Sequence, residues 1–312
     1  MKTNSIIVVG SLNMDFIVQV ERLPLPGQTV IGRGFEMLPG GKGANQACAA
    51  GRLRGKVRMI GRVGEDVFGQ RLKESLSSAG VDTTQVLQTP GEPTGVALIA
   101  VEQGGQNQIV VAAGANGRLS PSDLEAGLNR MEGGFVLLQL ESPLQTLEAA
   151  MARAREHGAT TILDPAPART LPSATLSQVS VLTPNESEAL QLLGLLGSSI
   201  ALSEAPGIAR ALRERGPETV ILKLGERGAW LADGKISQHF PARSVLAVDV
   251  TAAGDTFNGA LAVALAEGRP WKDAIPFANC AAGIAVTRPG AQASIPSREE
   301  VDRTLPRRSS VP

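Results

Sequence analysis

The chain has 312 residues, with 30 Lys and Arg balancing 30 Asp and Glu, 43% hydrophobic residues, 35 Gly, 20 Pro, two Cys and no Tyr. This length suits one large domain or two modest ones, and a formal charge of zero leaves no surplus for following a nucleic acid or an anionic membrane surface. Cys48, Cys280, His157 and His239 lie too far apart in sequence for a disulfide framework or a zinc site, which points to a reducing cytoplasm.

Ile6 to Gly10 is too short an apolar run for a signal-peptide core and is soon followed by Asn13 and Asp15, so it predicts a first strand. No apolar run approaches the roughly 20 residues that cross a bilayer. Phe16 to Leu38 and Gly95 to Ala113 alternate in period two, with Gly104-Gly105 as a hairpin turn. They predict one small antiparallel sheet, a lid over about 14–39 and 94–113, its two excursions separated by a helical segment. From about residue 134 short apolar runs alternate with helical patterns, the signature of an α/β fold whose mainly parallel sheet is buried on both faces. The predicted strands are Phe135 to Leu140, Thr160 to Asp164, Val179 to Leu182 and Thr219 to Leu224. The predicted helices are Leu144 to Glu156, Ile208 to Arg215, Gly254 to Glu267 and Trp271 to Thr287. No repeat or clear linker interrupts residues 1–312, and the tail after Ser297 is expected to be loosely held.

Neither G-x-x-x-x-G-K-[ST] nor, after the first strand, G-x-G-x-x-G occurs, which weighs against a P-loop ATPase and a nicotinamide-dependent dehydrogenase. Gly40-Gly41-Lys42-Gly43-Ala44-Asn45-Gln46-Ala47 is a Gly-rich turn entering a helix, with Lys42 and Asn45 on one face. It suits either a polar ligand or tight helix-on-sheet packing. Asn13, Asp15 and Glu141 follow strands at their carboxyl ends, where open α/β sheets bind ligands. Carboxylates there suit a polyol, at about 1.5–3 kcal/mol per hydrogen bond to a charged acceptor, although each also reads as a turn or helix lead-in.

Thr183 and Glu186 read as a capping box around Pro184, which makes Glu186 structural and leaves Asn185 and Glu188 on the first turn. Those two can meet a phosphate or hydrated magnesium, or simply solvent. Asp249 to Ala260 is the most informative segment. Ala252, Ala253 and Gly254 leave the amides of a helix N-terminus open as an anion hole, and Asp255 follows where a general base for phosphoryl transfer would stand. The plainer alternative is an aspartate that complements the helix dipole.

Taken in order, Gly10 to Asp15, Gly40 to Ala47, Gln139 to Pro143, Asp164 to Ala168, Thr183 to Glu186, Leu224 to Gly228 and Asp249 to Gly259 resemble the PfkB (ribokinase-like) family of sugar and nucleoside kinases. The resemblance runs from Ile6 to about Pro296 and implies a three-layer α/β/α body with a β lid. It also implies ATP-dependent phosphorylation of D-ribose at O5, with 2-deoxyribose, fructose or a nucleoside as alternative substrates and a non-catalytic sugar sensor as the rival class. By the same resemblance Asn13, Asp15, Gly41, Lys42, Asn45 and Glu141 form the sugar site, with Asp255 as base. Asn185, Glu188, Lys223, Gly225, Gly228, Gly254 and Asn279 serve ATP and its Mg2+. Oxygens of Asp249, Thr251, Ala285, Arg288, Gly290 and Ser294 hold a monovalent cation, typically K+.

The chain departs from the family's frequent D-T-x-G-A-G-D at Val250 and Ala252, and Lys223 stands where neutral residues are more usual; no catalytic role is assigned to it. The scarcity of aromatic residues argues against a stacking-dominated nucleoside site. Phe16, Val18, Val20, Val30, Ile31, Val96, Leu98 and Val110 are more apolar surface than a sugar needs, so the lid is expected to pair with a second copy in a homodimer.

Overall fold

The computed structural model describes residues 4–129 and 131–305. Its strands are β1 (Ile6–Val9), β2 (Asn13–Val20), β3 (Gly32–Gly40), β4 (Val57–Gly64), β5 (Asp82–Thr89), β6 (Gly95–Glu102), β7 (Asn107–Ala112), β8 (Phe135–Leu138), β9 (Thr160–Leu163), β10 (Val181–Leu182), β11 (Thr219–Lys223), β12 (Ala229–Ala232) and β13 (Ser237–Phe240). Its helices are α1 (Lys42–Arg52), α2 (Val67–Ser78), α3 (Glu125–Leu128), α4 (Leu144–Glu156), α5 (Ser173–Leu176), α6 (Glu186–Leu192), α7 (Ala205–Glu214), α8 (Ala253–Ala266), α9 (Trp271–Ala285) and α10 (Arg298–Thr304).

A nine-stranded sheet runs in the order β13-β12-β11-β10-β9-β8-β1-β4-β5. It is parallel from β5 to β11, with β12 and β13 antiparallel at one edge. β1 shows why the sheet needs cover on both sides: Ile6 and Val8 join one buried cluster with α1, α8 and α9, while Ile7 and Val9 join another with α4, α6 and α7. Burying a side chain of this size stabilises by about 1.5–3 kcal/mol, so a chain with apolar residues on both faces of a strand closes into three layers. Among the described residues no helix is long and apolar enough to cross a membrane, and Cys48 and Cys280 are unpaired.

The smaller sheet runs β3-β2-β6-β7. Its two outer pairings are antiparallel, but β2 and β6 run parallel, which corrects the expectation of a wholly antiparallel sheet. The cause is connectivity: β2 and β6 are joined by a long crossover through β4 and β5 rather than by a hairpin, and both leave the large sheet in the same direction. The helical segment expected between the two excursions thus contains two strands of the main sheet as well as α1 and α2.

Some of the apolar lid residues are covered by their own chain: Val20 is buried, Val96 packs against the core, and Phe16 sits edge-on to Phe68 of α2 at 5.4 Å. Ile31, Leu98 and Val110 remain exposed. The tail also differs from expectation. Ser297 caps α10 in a capping box with Glu300, and Val301 is fully buried, so residues 298–304 are anchored; Arg307 to Pro312 lie outside the described residues.

One close approach sets the site. A methyl group on Gly259 of α8 would fall 2.6 Å from Ala49 Cβ and 2.7 Å from the Gln46 carbonyl, so the two helices touch through a hydrogen atom. Gly259→Ala is therefore expected to destabilise the fold by about 1–3 kcal/mol, the usual cost of overpacking a filled core. Thermal and denaturant unfolding check this, and an unchanged melting temperature would contradict the contact.

Candidate active site

The carboxyl ends of the parallel strands converge on one cleft of about 450 Å³, lined by Lys42, Asp164, Asn185, Glu188, Lys223, Gly225 and the residues from Ala252 to Asp255, among others. α8 begins at the floor of this cleft. Ala252, its N-cap, adopts φ 57°, the left-handed region that favours glycine. Ala253 N–H is taken by the Val250 carbonyl at 3.2 Å. Among the described residues the amides of Ala252, Gly254 and Asp255 have no such acceptor. Of the residues expected to form an anion hole, Ala252 and Gly254 therefore keep their amides unpartnered among the described residues, as does Asp255, whereas the Ala253 amide is taken.

Asp255 is 6% exposed. Asn45 Nδ2 donates to its Oδ2 at 3.1 Å and Gln46 Nε2 to its Oδ1 at 3.1 Å. Burial pushes its carboxyl above the ordinary range, Asp164 adds to that push, and Lys42 and the two amides oppose it. For Lys42 burial acts downward, yet Asp255, Asp164, Glu141 and Glu188 outweigh it and hold the ammonium above its ordinary value.

The sugar-side groups stand beside it. Asn13 Oδ1 accepts from Asn116 Nδ2 at 2.8 Å, and Asn116 also bonds both the amide and the carbonyl of Leu12. Gly41, at φ 88°, brings its backbone so near Asn13 that a Cβ would lie 2.6 Å from the Asn13 nitrogen, which explains a glycine there. Glu141 Oε2 accepts from Ser11 Oγ at 2.5 Å and from the Lys42 amide at 3.2 Å. Asp15 is pushed up to about 7 by burial and by the neighbouring Glu141 and Asp255, with Lys42 pulling the other way.

The first turn of α6 corrects the expected cap. Asn185, not Thr183, is the N-cap, and its partner in the capping box is Glu188, not Glu186. The reason lies in the sheet: the Thr183 amide bonds the Leu163 carbonyl and the Lys223 amide bonds the Pro184 carbonyl, so this segment still belongs to the strand layer. Asn185 and Glu188 are thus bonded to each other, at 2.7, 2.8 and 2.9 Å, instead of standing free. Both residues also line the cleft. Glu186 is structural as expected, through Arg227 at 2.5 Å and the Ile200 amide.

Lys223 Nζ pairs with Asp164 Oδ1 at 2.8 Å and lies 3.2 Å from where a Cβ on Gly254 would be. Gly225 and Gly228 both have positive φ. Gly228 packs against residues 241–242, while Asn279 Nδ2 donates to the Phe240 carbonyl at 3.0 Å, so these two hold the segment flanking the cleft. Asp249 is apart from the cleft lining: its carboxylate accepts from the amides of Thr251 and Gly290, both at 2.8 Å. Arg288 N bonds the Ala285 carbonyl, and Ser294 Oγ donates to the Ala291 carbonyl. Of the expected cation residues, Asp249, Thr251 and Gly290 are thus joined through the Asp249 carboxylate, whereas the bonds of Ala285, Arg288 and Ser294 are local.

Sequence reasoning assigned no role to Asp164, Ser11, Asn116, Gln46 or Gln139. Asp164 carried the same signal as Asp15 and Glu141, a carboxylate at a strand's carboxyl end.

A model of the pfkB family of carbohydrate kinases matches residues 3–298. This chain belongs to that family. It is 39% identical over 295 residues to the ribokinase of Haemophilus influenzae, covering 94% of this chain and 95% of the relative. It is 35% identical over 302 residues to the deoxyribokinase of Salmonella typhi, covering 96% and 98%. The structure of Arabidopsis thaliana ribokinase complexed with ribose and ATP matches with TM-score 0.87 at 33% identity, covering 97% of this chain and 98% of that one.

In this pfkB-family kinase the Val250 side chain is exposed, and its carbonyl accepts from the Ala253 amide. Asp15 yields a pH prediction. The folded carboxyl holds its proton up to about 7, against an ordinary 3.8, so between those values the folded chain binds more protons than the unfolded one. The stability of the ligand-free kinase should then fall as pH rises through that window. Melting temperatures from pH 4.5 to 8 should show this component in the parent chain and its loss in Asp15→Asn; parallel curves would refute it.

Proposed function

We propose that this chain is an ATP-dependent kinase that transfers the γ-phosphoryl group to O5 of D-ribose. The observation that carries this reading is the buried Asp255 carboxylate, fixed by Asn45 and Gln46 beside the unpartnered amides of the α8 N-terminus. In the reaction Asp255 accepts the O5 proton, O5 forms a bond to the γ-phosphorus, and the bond to the β-phosphate oxygen breaks to release ADP. The Gly254 and Asp255 amides with the α8 dipole meet the charge that develops on the transferring group. Asn13, Asp15, Lys42 and Glu141 orient the sugar hydroxyls, and the small sheet carrying Asn13 and Asp15 acts as a lid. Magnesium arrives with the nucleotide, and Glu188 accepts hydrogen bonds from its water shell.

Asp255→Asn keeps the shape of the site and removes the base. It is expected to lower kcat by 10²–10⁴-fold, the usual cost of losing a general base, with much less effect on ribose binding. A coupled ADP-release assay over pentoses, hexoses and nucleosides checks both the base and the substrate: a variant with more than about a tenth of parental kcat excludes Asp255 as base, and better turnover on 2-deoxyribose than on ribose reassigns the substrate.

We also propose that Asp249, Thr251, Ala285, Arg288, Gly290 and Ser294 bind K+, which acts through the shape of the anion hole and not on the substrate. The turn between Thr251 and α8 is where the Asp249 carboxylate orders the chain. Potassium should raise kcat severalfold over tetramethylammonium at matched ionic strength; equal rates would remove this role.

The lid is proposed to pair with a second copy. Leu98 and Val110 lie opposite one another across β6 and β7 and are 54% and 65% exposed. Two such faces brought together would bury both rows and protect the outer strands of a small sheet. Light scattering in line with size exclusion should report twice the mass of one chain at micromolar concentration, and Leu98→Asp with Val110→Asp should return it to one.

A further inference from the structure

Gln46 lies on α1, 1% exposed, one residue past Asn45. Its Nε2 stands 3.1 Å from Asp255 Oδ1 and 3.0 Å from Asp164 Oδ2. Its Oε1 accepts from Gln139 Nε2 at 2.7 Å. The third bond fixes the amide's orientation: turned over, Gln46 would present its oxygen to two carboxylates and its nitrogen to another donor. An amide nitrogen has two hydrogens, and here each goes to a different acid. Gln139 is fully buried at the end of β8, in space that Gly10 leaves open, since a Cβ on Gly10 would collide with Gln139 Oε1. An amide pair is thus enclosed between α1 and the ends of two strands, behind the base and on the side away from solvent.

Asp164 continues the connection, because its other oxygen takes the Lys223 ammonium at 2.8 Å. Lys223, Asp164, Gln46 and Asp255 therefore form one chain of hydrogen bonds from the end of β11 to the first turn of α8. We propose that Gln46 is a positioning residue for phosphoryl transfer, holding Asp255 Oδ1 and joining the base to the Asp164–Lys223 ion pair. With Asn45 on Oδ2, it stops rotation of the carboxylate and leaves one lone-pair direction on each oxygen for the incoming hydroxyl. This inference rests on Asp255 being the base proposed above.

Charge explains why an amide is needed. Asp255 is faced by Lys42 at the start of α1, Asp15 from β2, Asp164 after β9 and Lys223 at the end of β11, while Glu141 after β8 and Glu188 from α6 act on Lys42 beside it. Acids outnumber ammonium groups, so neutral donors carry part of the stabilisation of the ionised base. Without Gln46, Asp164 and Asp255 would confront each other with no hydrogen between them, and the base would bind its proton more tightly.

The test is the pH profile of kcat for the full chain with saturating ATP-Mg and ribose. Gln46→Met keeps length and volume and removes the donor. It is expected to lower kcat at neutral pH by about tenfold or more, to leave the ribose KM within about threefold, and to move the acidic limb of the profile to higher pH by on the order of one unit. A purely structural glutamine would lower the folded fraction without moving that limb. Gln139→Met leaves Gln46 in place but removes the donor that anchors its Oε1, and should move the limb the same way by less; it carries the test if Gln46→Met does not fold. Acidic limbs that coincide with the parent in the folded variants would overturn the inference while leaving the kinase reading intact. A parent chain that turns over no sugar in the panel would remove that reading and this inference with it.

Discussion

A carboxylate held out of water at the start of α8 is the constraint around which the site is organised. An isolated buried charge is too costly to keep, and such a group either takes up a proton or finds donors. Asp255 has two side-chain amides from α1, the dipole of its own helix and the Lys42 ammonium. Each of these has a structural requirement of its own. Asn45 and Gln46 reach Asp255 only if α1 lies directly against α8, and the two helices can do so only because Gly259 has no side chain. α1 in turn lies against the end of β1 through Gly43, whose Cβ would fall 2.6 Å from the Ser11 nitrogen. The glycines of the α1 turn and of α8 thus serve the electrostatics of Asp255 more than the flexibility of the chain.

The same economy governs the acids. Glu141 and Asp164 follow parallel strands, Glu188 is on the first turn of α6, and Asp15 comes to them from β2 of the small sheet. Burial displaces the carboxyls of Asp15 and Glu188 upward, and the neighbouring acids add to it in the ligand-free chain. Lys42 and Lys223 offset part of it. A polyol and a nucleotide with its metal supply the remaining hydroxyl donors and positive charge, so the unfavourable arrangement of the empty site is a reserve that substrate binding can draw on.

The body of the fold was legible where pattern and packing agree. Leu144 to Glu156 reads as a helix and is α4 with the same limits, because its apolar spacing faces one neighbour and Pro143 marks its start. Trp271 to Thr287 and Gly254 to Glu267 come within a residue or two of α9 and α8. β4 and β5 were not legible: Arg58, Arg62, Asp82 and the two threonines after it interrupt their apolar residues, and they are strands because β1 offers β4 an edge. The cap of α6 was misplaced by two residues since Thr183 and Pro184 still pair with neighbouring strands, which no local rule reveals.

The sequence by itself determined the α/β class, the turn of small residues before α8, and the glycines and lysine of the Gly-rich helix start, because each is written in local terms: small residues before a helix, apolar runs at strand spacing, glycines where the chain must turn. Tertiary structure alone decided that β2 and β6 run parallel, that Ala253 is spoken for by the Val250 carbonyl, that Asn185 and Glu188 bond each other, and that Asp164 and Gln46 belong with Asp255. Those facts depend on groups up to 210 positions apart in the chain, such as Asn45 and Asp255, and hydrogen-bond direction between them is fixed only when both helices have packed. A side chain's type is a local property, whereas its partner is a property of the fold.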